Sequence, residues 1–257
     1  MRSVMTQYAS SRDPLLLGVD LFIDSWWVTL PAALFAVLVG QLPAAYSAWQ
    51  GLPLALNESK DVGWWLLMAA AILINLWAWL FIMHRQTMRL IGRSTTVGAA
   101  MLAAAKAILP ASQALTLMSV LIAIGSLALV IPGIYLLVVG WLVLPAVVSR
   151  EGSARVLIDG CLQSARGQWW VLAKGLLLTL IGIMALFVVG NLLGLLLFEL
   201  SLLSGLGAIT HDALGQAMMS VIGGMLGALY MPFASAMAVA HEALLSARRQ
   251  SSAKSSL

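Results

Sequence analysis

Charge and cysteine are what this chain of 257 residues has least of. Asp, Glu, Lys and Arg make up 9% of it, where a soluble domain carries about a quarter. An ordinary water-facing surface is therefore excluded. The single cysteine, Cys161, rules out an internal disulfide, and no redox compartment follows from it. HExxH, GxSxG, Walker A and CxxC patterns are absent, so the usual metal, hydrolase and nucleotide signatures are missing. No cofactor is implied. Polar and apolar residues do not alternate in ~10-residue segments, which argues against a transmembrane barrel. Asp13, Asp20 and Asp24 interrupt the start of the chain, so no cleaved signal peptide is expected.

What is there is apolar surface. Hydrophobic residues reach 61% and mean hydropathy is +0.98. Several apolar runs reach roughly 18 residues, the length that spans a ~30 Å hydrocarbon core as helix. The expected fold is all-α: a polytopic membrane protein with six transmembrane helices, short interfacial amphipathic helices and both termini cytoplasmic. The spans are predicted at 26–49, 63–84, 111–131, 134–149, 169–190 and 217–240. Residues 1–13 read as a disordered tail, as do the basic, serine-rich residues 248–257, with 14–247 a single membrane domain. Residues 14–25 carry Asp20 and Asp24 opposite an apolar face, the pattern of a short helix lying at the interface. Pro43 is expected to kink or fray the far end of the first span.

Ser94 or Thr95 would cap a helix running to Leu109, too short and alanine-rich for a span and read as interfacial or reentrant. Residues 110–149 are almost free of charge and twice too long for one crossing, so they must fold back. Pro132-Gly133 is the strong breaker near their centre and predicts a tight hairpin turn. Residues 150–168 read as an amphipathic connector. Leu157, Cys161, Ser164 and Gln168 share one face, and Arg155, Asp159, Gln163 and Arg166 the other. Arg155 and Asp159 are one turn apart and within pairing reach. Residues 191–204 read as a helical extension or an outer-face cap.

Cations are sorted to one side of this layout. Arg2, Arg12, Arg85, Arg89, Arg93, Lys106, Arg150, Arg155, Arg166, Lys174, Arg248, Arg249 and Lys254 share the side of the termini, and Lys60 stands opposite. The asymmetry predicts a multi-pass protein of the bacterial inner membrane, N-in and C-in. The net charge of +4 is thus read as an orientation signal, with no nucleic-acid partner expected. Trp26, Trp27, Trp49, Trp64, Trp65, Trp169 and Trp170 fall at predicted span ends, as an aromatic belt requires.

Residues 132–170 carry Pro132-Gly133-Ile134, Pro145, Glu151-Gly152, Ser164 and Gly167-Gln168-Trp169-Trp170. This pattern resembles the YciC-type family of six-helix bacterial inner-membrane proteins. It is also similar to the membrane domain fused to some glycerophosphodiester phosphodiesterases. That family usually has alanine four residues before the serine, where Gly160 stands here. The resemblance implies the fold and is nearly silent on activity. No soluble phosphodiesterase domain fits in these loops.

Few residues invite chemistry. Pro132 and Gly133 read as a plain turn at the outer face, or more sharply as a hinge or reentrant element lining a cavity. Gly190 with Gly194, Gly223 with Gly227, and Ser220, Gly224 and Ala228 are small-residue faces. They suit close packing within the chain or a homo-oligomer contact. Asn75 and Asn191 are polar residues in apolar runs, suited to an interhelical hydrogen bond or to lining a pathway. No acidic or basic residue falls mid-span, as a proton-coupled transporter normally needs. Arg85, Arg89 and Arg93 recur every four residues beside the membrane, and can anchor topology or hold anionic lipid head groups. His84, His211 and His241 are far apart; His211-Asp212 and His241-Glu242 adjoin in sequence only.

Two functional readings follow. The first is a non-catalytic membrane protein, an accessory or organising component of a membrane or envelope process, with membrane lipids and a protein partner or second copy as its contacts. The second is a lipid-handling or transport protein. Its cleft would lie between the 110–149 hairpin and the last two spans, lined by Asn75, Asn191 and Gln113. A membrane enzyme is the weakest of the alternatives.

Overall fold

The computed structural model describes residues 13–50, 61–150, 152–203 and 228–255. Among them the chain is helical throughout. The elements are α1 (Pro14–Gly40), α2 (Leu42–Gln50), α3 (Val62–Leu90), α4 (Val97–Ala128), α5 (Val130–Gly140), α6 (Val143–Ser149), α7 (Ala154–Ala165), α8 (Trp169–Leu203) and α9 (Tyr230–Ser255). Five stretches are long and apolar enough to cross a membrane: Pro14–Ser47, Val62–Leu90, Val97–Ala128, Val130–Ser149 and Trp169–Gly190. This is the build of a multi-pass membrane protein.

The helix ends follow local chemistry. Asp13 caps α1, its carboxylate accepting the Leu15 N–H at 3.0 Å with Pro14 just inside the helix. Asp61 caps α3 by accepting from Trp64 and also accepts the Tyr46 hydroxyl at 2.6 Å. The Tyr46 hydrogen bond, seconded by the Trp64 N–H, holds the Asp61 carboxyl below its ordinary range. α3 stops at Gly92, which has φ +71; the Gly92 N–H reaches Arg89 O and the Arg93 N–H reaches Met88 O. That bond pair is a Schellman stop. α4 is capped by Thr96, one residue beyond the expected Ser94 or Thr95.

Several expected boundaries are redrawn. Residues 14–25 are not a separate interfacial helix but the first turns of α1, whose break falls at Gln41. The break precedes Pro43, whose ring would clash with the carbonyl of Val39 and offers it no N–H. The 94–109 helix and the 111–131 span are one helix, α4, with Pro110 inside it. Membrane helices tolerate such a proline because neighbouring groups re-satisfy the freed backbone.

The hairpin forms, but its turn is the single extended residue Leu129, φ −161 and ψ 143. Pro132 and Gly133 lie in the first turn of α5, where a missing N–H is harmless. Gly133 packs so closely on Ser126 that a Cβ there would overlap it. The residues expected to turn the chain thus let its arms close.

The return arm breaks again at Trp141-Leu142, between α5 and α6. The tail expected to be disordered from 248 is helical as far as Ser255. Residues 217–227 of the sixth predicted span, like residues 1–12 and Glu151, lie outside the described residues. α9 packs along α1 more extensively than any other pair of helices, and also touches α3, α6, α7 and α8. The connector behaves as predicted: Leu157, Cys161 and Ser164 are buried, while Arg155, Asp159, Gln163 and Arg166 are exposed.

Candidate functional site

The polar groups of the core gather around α9. One face of that helix presents Phe233, Met237 and His241, four residues apart and so stacked turn upon turn. Each side chain fills the space left by a glycine. A methyl on Gly182 would come within 2.6 Å of the Phe233 ring, and one on Gly18 within 2.5 Å of the Met237 sulfur. Gly175 receives the His241 imidazole more tightly still. Gly175 and Gly182 lie two turns apart on α8, so one face of α8 accepts two of the three.

Above that contact, α1, α3 and α9 are joined by a buried amide. Gln86 Nε2 donates to Ser25 Oγ at 3.2 Å and to the Pro232 carbonyl at 2.9 Å. The Ser235 hydroxyl donates to Gln86 Oε1 at 2.7 Å. The Ser25 hydroxyl in turn donates to Leu21 O at 2.6 Å, leaving its oxygen free to accept from Gln86. Gln86, Ser25 and Ser235 have no solvent exposure, and the mutual pairing is what makes their burial tolerable.

Two ion pairs flank the amide. Arg150 sends Nε and Nη2 to Glu242 Oε1, at 3.0 and 2.7 Å, tying the end of α6 to α9. Its other terminal nitrogen lies against Gly160, where a Cβ would stand 2.8 Å away. An alanine at position 160 would crowd this guanidinium. Arg89 binds the Asp24 carboxylate at 2.8 Å and stands 5.8 Å over the Trp27 ring. Farther along, Arg248 donates to the Gln168 side chain at 2.8 Å.

His241 Nε2 and Trp141 Nε1 are the exceptions to this pairing among the described residues. His241 Nδ1 lies 2.7 Å from the Met237 carbonyl, which can only accept, so the proton sits on Nδ1. Nε2 is then a bare acceptor, buried against Gly175 with no partner among the described residues. Burial pushes the imidazole below its ordinary pKa, while the Met237 carbonyl and Asp13 pull it the other way.

The arginine patch is divided among protein partners. Arg85 donates to Thr95 O at 2.6 Å, Arg89 to Asp24. Arg93 lies beyond the helix stop at Gly92, so the three do not share a helical face. Asn75 is half-buried in α3 and Gln113 is exposed on α4. Gly190 is buried in α8, and Ala228 is buried just before α9. The side chain of Asn191 and the surroundings of Gly194, both in α8, and residues Ser220, Gly223, Gly224 and Gly227, lie outside the described positions, as do His211 and Asp212. No group of three or more His, Cys, Asp or Glu that could hold a metal occurs among the described residues.

Sequence reasoning missed Gln86, which lies just past the predicted end of the second span at residue 84, beside Arg85. It missed Gly18, Gly175 and Gly182 because none belongs to a four-residue small motif. The seven-residue spacing of Gly175 and Gly182 was the available signal. Comparison with protein-family models, with curated proteins and with solved structures finds no match to this chain.

Proposed function

We propose that the chain is a non-catalytic multi-pass protein of the bacterial inner membrane, of YciC type, acting as an accessory or organising component of a membrane or envelope process. It has six apolar helical segments, with both termini on the cytoplasmic side. The observation that carries the reading is the pairing of core polar groups with one another. Gln86 engages Ser25, Ser235 and the Pro232 carbonyl, and Arg150 engages Glu242. Groups bonded in this way fix helices against each other and are not held ready for a substrate. The cation asymmetry supports the orientation. Membrane lipids cover the outward apolar faces, and a protein partner or second copy is the remaining contact. Transport through a cleft lined by Asn75, Asn191 and Gln113 draws less support, because Gln113 faces outward.

Native purification in nanodiscs with mass spectrometry of the intact complex tests the proposal. A stoichiometric protein partner supports the accessory role and names its pathway. A stoichiometric small molecule or lipid held through detergent exchange overturns it in favour of lipid handling.

A further inference from the structure

We infer that the α4–α5 hairpin is a wedge seated in the acyl chains of one leaflet, on the side of Arg85 and Arg150, and does not reach the opposite face. The inference rests on the multi-pass reading for the presence of a surrounding bilayer. By length alone the return arm can cross, since Val130–Ser149 has 20 residues and helix rises ~1.5 Å per residue. Its contacts place it differently.

Three contacts tie the hairpin to the cation-rich end. At the foot of α4, Arg85 Nη1 donates to Thr95 O. At the end of the return arm, Arg150 pairs with Glu242. Between them Tyr135 stacks on Trp169, ring centroids 6.1 Å apart, and the Trp169 indole N–H reaches Tyr135 O at 3.4 Å. Trp169 follows closely on the exposed Arg166 of the charged connector, separated from it by the Gly167 turn. Tyr135 therefore shares a layer with polar, water-facing chain. From Tyr135 to the turn at Leu129 is six residues, ~9 Å of helix. A hydrocarbon core is ~30 Å thick, so the tip ends inside the near leaflet.

The composition of the tip agrees. Leu127, Leu129, Val130 and Ile131 are 88, 69, 69 and 80% exposed. No charged residue occurs between Lys106 and Arg150. A water-facing turn built this way would be an open apolar patch. Part of the turn's backbone is satisfied internally. The Leu129 N–H donates to Gly125 O, Pro132 has no N–H, and the Gly133 N–H reaches Leu129 O. Helix geometry leaves the N–H groups of Val130 and Ile131 and the carbonyls of Ser126, Leu127 and Ala128 open, and a seat close to the head groups serves such groups better than the bilayer centre. Both arms return to the side they came from, so the side on which the termini lie is unaffected.

The test uses the full chain with Cys161→Ser, carrying one new thiol at a time: Leu129→Cys at the tip or Ser153→Cys in the exposed connector. A membrane-impermeant maleimide is applied to intact cells and to inverted vesicles. The tip thiol is expected to react at least ten-fold more slowly than the connector thiol in inverted vesicles, to stay silent in intact cells, and to react fully once dissolved in SDS. Rapid labelling of the tip in intact cells would show a full crossing and overturn the inference. Rapid labelling of the tip in inverted vesicles would show a cytoplasmic hairpin and overturn it equally. Labelling of the connector from outside the cell would instead sink the orientation reading. The tip's own silence on both faces would still uphold the one-leaflet wedge.

Discussion

His241 on α9 is seated against Gly175 on α8, its Nδ1–H bonded to Met237 O at 2.7 Å and its Nε2 facing the glycine with no partner among the described residues. The ring is pinned at one nitrogen, so it cannot swing away from anything larger than hydrogen at position 175. The same kind of seat recurs at Gly18 and Gly182, and α9 is held along its length by these three contacts.

Gly175→Val is therefore expected to be destabilising by about 1–3 kcal/mol, the usual range for overpacking. The readout is the thermal midpoint in nanodiscs followed by tryptophan fluorescence. Gly98→Ala is the control: nothing lies within 4 Å of its added methyl, and exposed changes of this kind stay within about 0.5 kcal/mol. Equal midpoints for the two variants would remove the glycine seat as a stability element.

A pH effect follows from the same imidazole. Its folded pKa lies below the ordinary ~6.5 of histidine, so the folded state disfavours protonation. The stability it contributes is fully present above about pH 6.5, and is lost as pH falls from there through the folded value. The charged group that acts on it is Asp13 at the start of α1. The midpoint should drop in this acid window and His241→Leu should flatten the drop. An unchanged profile in His241→Leu would assign the acid sensitivity elsewhere.

The buried amide gives a third expectation. Gln86→Leu removes three buried hydrogen bonds, to Ser25, Pro232 O and Ser235; the Ser235 hydroxyl keeps the Pro232 carbonyl at 3.1 Å, so the loss is about 1–3 kcal/mol. Ser235→Ala removes one bond and should cost about 1 kcal/mol. The two serve one network, so the double variant should lose less than the sum of the singles. Strict additivity in denaturant titrations would show that the network is not cooperative.

The Arg150–Glu242 pair is one-quarter exposed on the arginine and 9% on the carboxylate. Its contribution falls between the small value of surface pairs and the larger one of buried pairs. Glu242→Gln is expected to lower stability by about 1–3 kcal/mol on that basis. Adding Arg150→Leu should recover part of the loss, since it removes the stranded charge. A double variant no better than the single would mean that Arg150 finds another acceptor.

Much of this architecture is legible in the residues. The start of a helix at Pro14 rests on local chemistry and holds in the structure. The connector's two faces are equally local. Helical periodicity puts Leu157, Cys161 and Ser164 together, and they are the residues buried. Pro132-Gly133 misled because a proline-glycine pair signals a turn only where the chain has to reverse at that point. Here the reversal is complete at Leu129, and the pair serves the helix that follows.

By itself the sequence determined the helical class and the membrane-compatible runs. Each depends on neighbours within one or two turns, or on composition summed over a span. The tertiary structure alone decided which distant groups meet: Gln86 with Ser25 and Ser235, Arg150 with Glu242, His241 with Gly175, Tyr135 with Trp169. Those pairings depend on how helices cross. Helix crossing is set by small residues that let backbones approach, and glycines far apart in the chain carry no local mark of the side chain they will receive.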